Sequence, residues 1–343
     1  MKRILALFAL LALLLSGCFS YVPPTPTQPP VNSSTLTVHY IDVGQADCAL
    51  VESGGKFLLI DGGNVDDSSL VVSYLQKAGV QELSAVICSH AHEDHVGGLA
   101  GVLAVFPTAA VYAPTRTYSS RCFEDFLYYA DQQRLSVTIP SAGDSFTLGD
   151  AQIHVLGPVK SYPDPNDTSI VLRIDFGQTR FLFTGDMETV AENDMLDAGA
   201  DVKTDVLKVG HHGSNTSTGY RFLYEAAPEY GVISVGTDNS YGHPHDEPMS
   251  RLRDAGVTLY RTDEMGTVVA VSDGKDISFT WERTQARPEI PGQAVTYYIG
   301  NKNSRILHHP NCNSLPAEKN RIIFETAGEA LDAGYKLCSQ CMK

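Results

Sequence analysis

The segment Ser89-His90-Ala91-His92-Glu93-Asp94-His95 constrains this chain more than any other feature. It packs three imidazoles and two carboxylates into six residues, directly after an apolar stretch from Ala85 to Ser89. Strongly hydrated groups do not gather at the end of a buried strand unless something offsets their desolvation, and neutral imidazole with carboxylate is the donor set for zinc, manganese or iron. His90 and His92, two apart in extended chain, point the same way, and Asp94 and His95 turn back toward the same cavity at the start of the next helix. Gly97 and Gly98 leave room for a tight reversal. The bland alternative is a solvated loop that happens to be rich in histidine; the strand-to-helix context argues against it.

The rest of the chain supplies that context. Short apolar strands separated by Gly-rich turns are predicted at Leu36 to Tyr40, Ala49 to Glu52, Lys56 to Ile60 and Ala85 to Ser89, with a helix from Ser68 to Ala78. A second series has strands near Ile153 to Leu156, Ile170 to Phe176, Thr179 to Thr184, Val206 to Val209, Val232 to Val235, Thr258 to Tyr260, Val268 to Ser272 and Ile277 to Trp281. Helices are predicted around Leu99 to Phe106, Phe123 to Arg134, Thr189 to Asp197, Gly219 to Ala226 and Pro248 to Ala255. Two strand-rich halves with helices between strands predict an α/β fold of two sheets packed face to face, helices outside. A chain of 343 residues has room for that unit and a satellite. Its formal net charge of −15 disfavours general adhesion to polyanions, so any action on nucleic acid needs local basic patches or metals.

His90-x-His92-x-Asp94-His95 resembles the signature of the metallo-β-lactamase superfamily, whose fold is an αββα sandwich with a dinuclear metal site at one edge. Asp61, ending Phe57-Leu58-Leu59-Ile60 and followed by Gly62-Gly63, matches the family's first motif, where the carboxylate supports a ligand histidine; taken alone it is a turn-forming Asp. Asp186 in Phe183-Thr184-Gly185-Asp186 matches the carboxylate that bridges the two metals. Lys208-Val209-Gly210-His211-His212-Gly213-Ser214 supplies the late histidine, and the resemblance favours His211, with His212 as the alternative. Tyr40-Ile41-Asp42-Val43-Gly44-Gln45-Ala46-Asp47 and Tyr241-Gly242-His243-Pro244-His245 resemble one subgroup, the hydrolase domain of the DNA-internalisation competence protein ComEC, over about Leu36 to Arg283. One departure stands out: His154, inside a predicted strand, is the sole histidine between the His90 cluster and Asp186, where the wider superfamily has a further ligand. Asn166-Asp167-Thr168-Ser169 occupies that region, and Asn166 or Asp167 is available to orient a water or a phosphate oxygen.

The resemblance implies a hydrolase with two divalent ions, zinc or manganese, that activate a hydroxide between them. His90 and His92 would hold one ion, Asp94, His95 and His211 the other, with Asp186 bridging; Lys208, His243 or His245 would steady developing charge or protonate the leaving oxygen. The implied substrate is a phosphodiester, with DNA first and a nuclease tied to competence and DNA uptake, alongside a channel partner in the membrane. The alternatives are an envelope or small-molecule phosphodiesterase, for instance on decorated teichoic acid, and a non-catalytic DNA-binding lipoprotein.

Both ends add to this. Met1-Lys2-Arg3 followed by an apolar run to Leu15 has the form of a secretory signal, too short to span a bilayer as a mature helix, and Leu15-Ser16-Gly17-Cys18 resembles a lipobox. Residues 1–18 are expected to direct export, with lipid on Cys18 anchoring the protein outside the cytoplasm, and the Pro-rich residues 19–35 to serve as a tether to the domain at 36–283. After a Pro-containing linker at 284–294, residues 295–343 hold three of the seven cysteines. His308, Cys312, Cys338 and Cys341 form a tetrahedral zinc set, similar to the zinc-binding domain of the methyl-damage repair protein Ada with His308 in place of one cysteine. A disulfide of Cys338 with Cys341 or Cys312 is the alternative, which export permits. Cys48 and Cys88 are expected in the core, and Cys122 has no assigned role.

Overall fold

A computed structural model describes residues 35–289, 297–310, 312 and 314–342. The expected signal and lipidated Cys18, nearly all of the tether, and residues 290–294 of the linker lie outside the described residues.

The chain opens with β1 (Leu36–Tyr40), β2 (Ala49–Ser53) and β3 (Lys56–Ile60), then α1 (Ser68–Lys77), β4 (Ala85–Ile87), the one-turn α2 (Glu93–Val96), α3 (Leu99–Val105), β5 (Val111–Tyr112) and α4 (Arg121–Gln132). There follow β6 (Ser145–Leu148), β7 (Ala151–Gly157), β8 (Val171–Phe176), β9 (Thr179–Phe183), α5 (Thr189–Asp197), β10 (Val206–Lys208), α6 (Tyr220–Ala226), β11 (Tyr230–Ile233), α7 (Asp246–Asp254), β12 (Thr258–Arg261), α8 (Thr262–Met265), β13 (Val268–Ser272) and β14 (Ile277–Trp281). The tail carries β15 (Tyr298–Asn301), β16 (Ile306–His308), β17 (Arg321–Phe324), α9 (Ala327–Asp332) and β18 (Lys336–Leu337).

Two seven-stranded sheets result, in the orders β14-β13-β1-β2-β3-β4-β5 and β12-β11-β10-β9-β8-β7-β6. One core cluster draws side chains from both, including Val38, Val51 and Leu58 of the first and Ile153, Leu172, Ile174 and Phe181 of the second, which places it between the sheets. The outer face of the first sheet is covered by α1, α3 and α4 through Leu75, Val102, Phe123 and Phe126, and that of the second by α5, α6 and α7 through Met195, Phe222 and Leu252. This is the αββα sandwich expected. Alternation explains the strands: β7 buries Ala151, Ile153, Val155 and Gly157 and turns His154 outward, where its Nε2 lies 3.6 Å from Asp175. The helices follow the 3.6 period; α4 buries Cys122, Phe123, Phe126 and Ala130, and Ser120 caps it by accepting the Phe123 N–H. Cys48 and Cys88 are core residues, as expected.

The connection β3–α1–β4 crosses over to a parallel partner, and β9, β10, β11 and β12 run parallel with helices between them. In such sheets the loops beyond the carboxyl ends of the strands gather along one edge. The two sandwich strands absent from the sequence reading, β5 and β6, are edge strands of two and four residues. The tail forms its own sheet, ordered β17-β15-β16-β18. Among the described residues no helix is long and apolar enough to cross a membrane.

Candidate metal centre

Each chemistry-bearing side chain leaves the carboxyl end of a parallel strand: Asp61 after β3, the His90 cluster after β4, Asp186 after β9, His211 and His212 after β10, and His243 after β11. Asp61 is the pivot. It is buried with a left-handed φ of 58°, and its backbone N–H bonds the Ile87 carbonyl at 2.8 Å. Its Oδ1 accepts the Ser89 N–H at 2.7 Å, while Oδ2 accepts Ser89 Oγ at 2.7 Å and His95 Nδ1 at 2.9 Å. With the His95 proton fixed on Nδ1, Nε2 turns toward Asp186 Oδ1 at 3.3 Å and Asp94 Oδ2 at 3.8 Å. Asp61 thus sits where the first-motif resemblance placed it.

Glycine makes the approach feasible. A Cβ on Gly98 would lie 2.1 Å from the Gly62 carbonyl oxygen, and one on Gly97 would lie 2.4 Å from the Val65 nitrogen. Backbone therefore rests on backbone where the turn after Asp61 meets the turn after His95.

Asp94, His95, Asp186 and His212 bring one donor atom each within 4.8 Å of one another. Beside them His90 Nε2 stands 3.1 Å from His92 Nδ1 and 3.8 Å from Asp186 Oδ2. Among the described residues His95 Nε2 and Asp186 Oδ1 are buried and, though 3.3 Å apart, make no well-formed hydrogen bond, which costs free energy unless a cation meets them. The electrostatics agree. Burial alone lowers the His95 pKa, but Asp186, Asp94 and Asp61 outweigh it and hold the pKa well above the usual value. His212, also opposed by burial, is pushed up to about 10 by Asp186, Asp47 and Asp94. Burial and then the neighbouring His95 hold His90 well below its usual value. Burial raises Asp94, yet His95 and His212 bring it down to about 2, and Asp186, also opposed by burial, is held well below its usual value by His95 and His212. The pocket is built to stabilise concentrated positive charge, and a divalent ion displaces those protons as it enters. Asp94, His95, Asp186 and His212, with His90 and His92 adjoining, are a fitting donor set for such ions.

Several sequence expectations are corrected. The late histidine in the donor cluster is His212, not His211. Both residues have left-handed φ, 49° and 52°, so successive side chains diverge. His212 is buried, its Nδ1 3.0 Å from the Ser234 carbonyl and its Nε2 3.2 Å from Asp94 Oδ2. His211 stays at the rim, Nδ1 3.4 Å from Glu188 Oε1 and Nε2 3.6 Å from Asp186 Oδ2. Lys208 does not face the cleft: buried, it pairs with Asp47 Oδ2 at 2.8 Å and donates to the Val209 carbonyl at 3.0 Å. His245 also turns away, its Nδ1 accepting the Asn215 N–H at 3.1 Å. His243 does line the cleft, 3.4 Å from Gln45 Nε2 through its Nδ1.

The cleft has a volume of about 360 Å³ and is lined by Gln45, His92, Glu93, Asp94, Asn166, Asp186, His211, His212, Tyr241 and His243. Asp47 is the residue the sequence reading left without a role. Its Oδ1 is 3.4 Å from His212 Nδ1, and with Lys208 it braces that imidazole from behind. Its signal was present in the Tyr40 to Asp47 motif, but motif membership does not say which way a carboxylate points.

In the tail His308, Cys312, Cys338 and Cys341 also bring their donor atoms within 4.8 Å of one another, and the six described cysteines are free thiols. Burial raises the Cys312 thiol, but hydrogen bonds with Ser314 and His308 bring it down to about 6, which favours the metal-binding thiolate. Four converging donors fit zinc, where a disulfide would join two. Tyr220 of α6 joins the tail's core of Tyr298, Leu307, Phe324, Ala330, Tyr335 and Met342, and Tyr224 donates to Asp332 at 3.0 Å.

This fold and donor set define a metallohydrolase, and comparison with known families agrees: residues 41–237 match the metallo-beta-lactamase superfamily, to which the chain belongs, and residues 280–343 match the metal binding domain of Ada. Among curated relatives, the chain is 32% identical over 260 residues to ComE operon protein 3 of Bacillus subtilis, covering 70% of this chain and 33% of the relative. It is 33% identical over 259 residues to competence protein ComA of Neisseria gonorrhoeae, covering 75% and 34%. The chain therefore spans about a third of these relatives' length. Among solved structures, the metallo-beta-lactamase fold protein YhfI of Bacillus subtilis matches with a TM-score of 0.51 at 16% identity, over 70% of this chain and all of that one, a likeness of fold.

Proposed function

We propose that this protein is a metal-dependent phosphodiesterase, with nucleic acid as its first substrate class. The observation that carries this reading is the convergence of Asp94, His95, Asp186 and His212, flanked by His90 and His92, at an open cleft where, among the described residues, the lining includes no serine, threonine or cysteine to act as nucleophile. A pair of divalent ions, zinc or manganese, would bring a water's pKa into the neutral range and polarise the ester under attack. His90 and His92 would hold one ion, Asp94, His95 and His212 the other, with Asp186 between them. Asp61 keeps the His95 proton on Nδ1, and the Asp47–Lys208 pair steadies His212 from behind. His243, held by Gln45 on the cleft wall, is placed to meet the leaving oxygen.

A relative named competence protein ComA in Neisseria gonorrhoeae and one named recombination protein 2 in Haemophilus influenzae support DNA as the substrate. A second reading, an envelope or small-molecule phosphodiesterase, has its own support: among the described residues no lysine or arginine lines the cleft, and the net charge of −15 provides no long-range attraction for a polyanion. The non-catalytic alternative requires lost ligands, and His90, His92, Asp94, His95, Asp186 and His212 are all present. Purified protein is to be incubated with Mn²⁺ or Zn²⁺ and plasmid DNA, single-stranded DNA or bis(p-nitrophenyl) phosphate. Cleavage of DNA supports the first reading, and cleavage of the small ester alone selects the second. Asp94→Ala should abolish turnover with the circular dichroism spectrum retained; undiminished activity there overturns the assignment.

The same reading places the enzyme outside the cytoplasm, anchored through lipid on Cys18, near a channel partner for DNA, with a hydrolase domain at 36–283 and a metal-binding module at 295–343. Support comes from the lipobox-like Leu15-Ser16-Gly17-Cys18 and the Pro-rich residues after it. A Cys18→Ser variant should leave the membrane fraction, and its retention there refutes the anchor.

A further inference from the structure

Asn166 carries an atom the fold does not explain. The residue is 9% exposed and lines the cleft with His92, Asp94 and Asp186, and its Oδ1 is buried without a hydrogen-bond partner among the described residues. The amide's orientation is fixed chemically: Nδ2 donates to Glu188 Oε1 at 3.4 Å, and because a carboxylate oxygen there accepts, the amide oxygen is the end left over. Buried polar atoms of this kind are rare and call for a reason.

The turn that bears Asn166 is tied to the Asp186 loop. Ser169 Oγ donates to the Asn166 carbonyl at 2.7 Å and accepts the Asp186 N–H at 3.1 Å, while Asp167 Oδ1 accepts the Glu188 N–H at 3.0 Å. A shift of one loop therefore moves the other. The two ion positions are also unequal. Asp94, His95, Asp186 and His212 form a closed group of four donors, whereas His90 and His92 stand outside it, with Asp186 Oδ2 3.8 Å from His90 Nε2 the carboxylate nearest them among the described ion pairs. His154, the sole histidine between His95 and Asp186, faces Asp175 on the outside of its sheet.

We propose that Asn166 Oδ1 is a ligand of the ion held by His90 and His92. This rests on the two-ion reading above and adds to it a choice of metal. An amide oxygen is a harder and weaker donor than imidazole, and carbonyl oxygen suits manganese where a further imidazole suits zinc. The ion at His90 and His92 is therefore the weaker-held of the two and favours manganese.

The test uses the full chain, stripped of metal by chelation, with Mn²⁺ binding followed by the loss of the free-ion electron paramagnetic resonance signal and bound metal counted by mass spectrometry. Asn166→Ala should weaken the looser Mn²⁺ site by at least about tenfold while the tighter ion stays. Asn166→Asp, which keeps an oxygen at that place, should restore Mn²⁺ binding, and Asn166→His should shift the site's preference toward Zn²⁺. Mn²⁺ titrations of Asn166→Ala that superimpose on wild type, or an Asn166→Asp variant as weak as Asn166→Ala, overturn the proposal. Because binding is read without substrate, a wild-type protein that shows this pattern but cleaves no phosphodiester would sink the proposed function and leave the ligand in place. An Asn166→Ala variant with unaltered ion binding and full activity would do the reverse.

Discussion

Replacing Asp61 with asparagine tests the centre without altering its shape. Asp61 accepts three hydrogen bonds, from Ser89 N, Ser89 Oγ and His95 Nδ1, and the last fixes which imidazole nitrogen carries the proton. An asparagine offers one acceptor oxygen and one donor nitrogen. Ser89 N keeps the oxygen, and His95 then faces an N–H, which drives the imidazole to the tautomer whose Nε2 bears the proton and cannot bind metal. Losing such a supporting partner typically lowers metal affinity about 10- to 100-fold, or roughly 1.4 to 2.7 kcal/mol. At free metal about 100-fold above the wild-type dissociation constant the ion adds about 2.7 kcal/mol to stability, and a thirtyfold loss of affinity leaves about 0.9 kcal/mol, a deficit of about 2 kcal/mol. Competition with a metal-sensing dye measures the affinity, and denaturant titrations with and without metal measure the stabilisation. A variant whose affinity stays within twofold of wild type would refute the argument that this carboxylate sets the ligand tautomer.

Three further outcomes follow from other contacts. Removing one partner of the buried Asp47–Lys208 pair should cost about 3–5 kcal/mol in denaturant unfolding, while Asp47→Leu with Lys208→Met should recover most of that loss; a double variant as unstable as the singles would show that the pair's role is not mutual neutralisation. Burial, opposed by the Gly219 and Thr218 N–H groups, pushes Glu192 up to about 7 from 4.5, so its contribution to stability is full below about pH 4.5 and is lost as pH rises to 7, on the order of 3 kcal/mol in all. The stability advantage of wild type over Glu192→Gln should shrink across that window, and a constant difference would exclude the titration. Cys338→Ser should release one zinc per chain in native mass spectrometry and leave the ions at the main centre, and an unchanged count would exclude Cys338 as a ligand.

Much of the sandwich was legible because its signals are periodic. The alternation in β1, β7 and β13 and the helical stripe of α4 are local properties that a strand or helix must display to bury one face. β5 and β6 escaped because edge strands of two and four residues carry too few side chains to show a period. At the site, His90, His92, Asp94, His95 and Asp186 were legible as residue types at family spacing, and His308, Cys312, Cys338 and Cys341 of the tail likewise. Direction was not. Two adjacent histidines in a turn look equivalent in sequence, and the left-handed backbone at His211 and His212 decides which is buried. Lys208 and His245 were misjudged for the same reason: a polar side chain in a motif-bearing loop can be spent on Asp47 or on a backbone N–H as easily as on a substrate.

The close approach of Gly98 to the Gly62 carbonyl has a kinetic meaning. With these turns nested main chain to main chain, the chamber does not need to assemble around its guest, so little ordering entropy opposes the arrival of an ion. Loading should then be limited by how fast the hydrated ion sheds its waters and the imidazoles give up their protons, and metal-stripped protein should take up ions again without refolding.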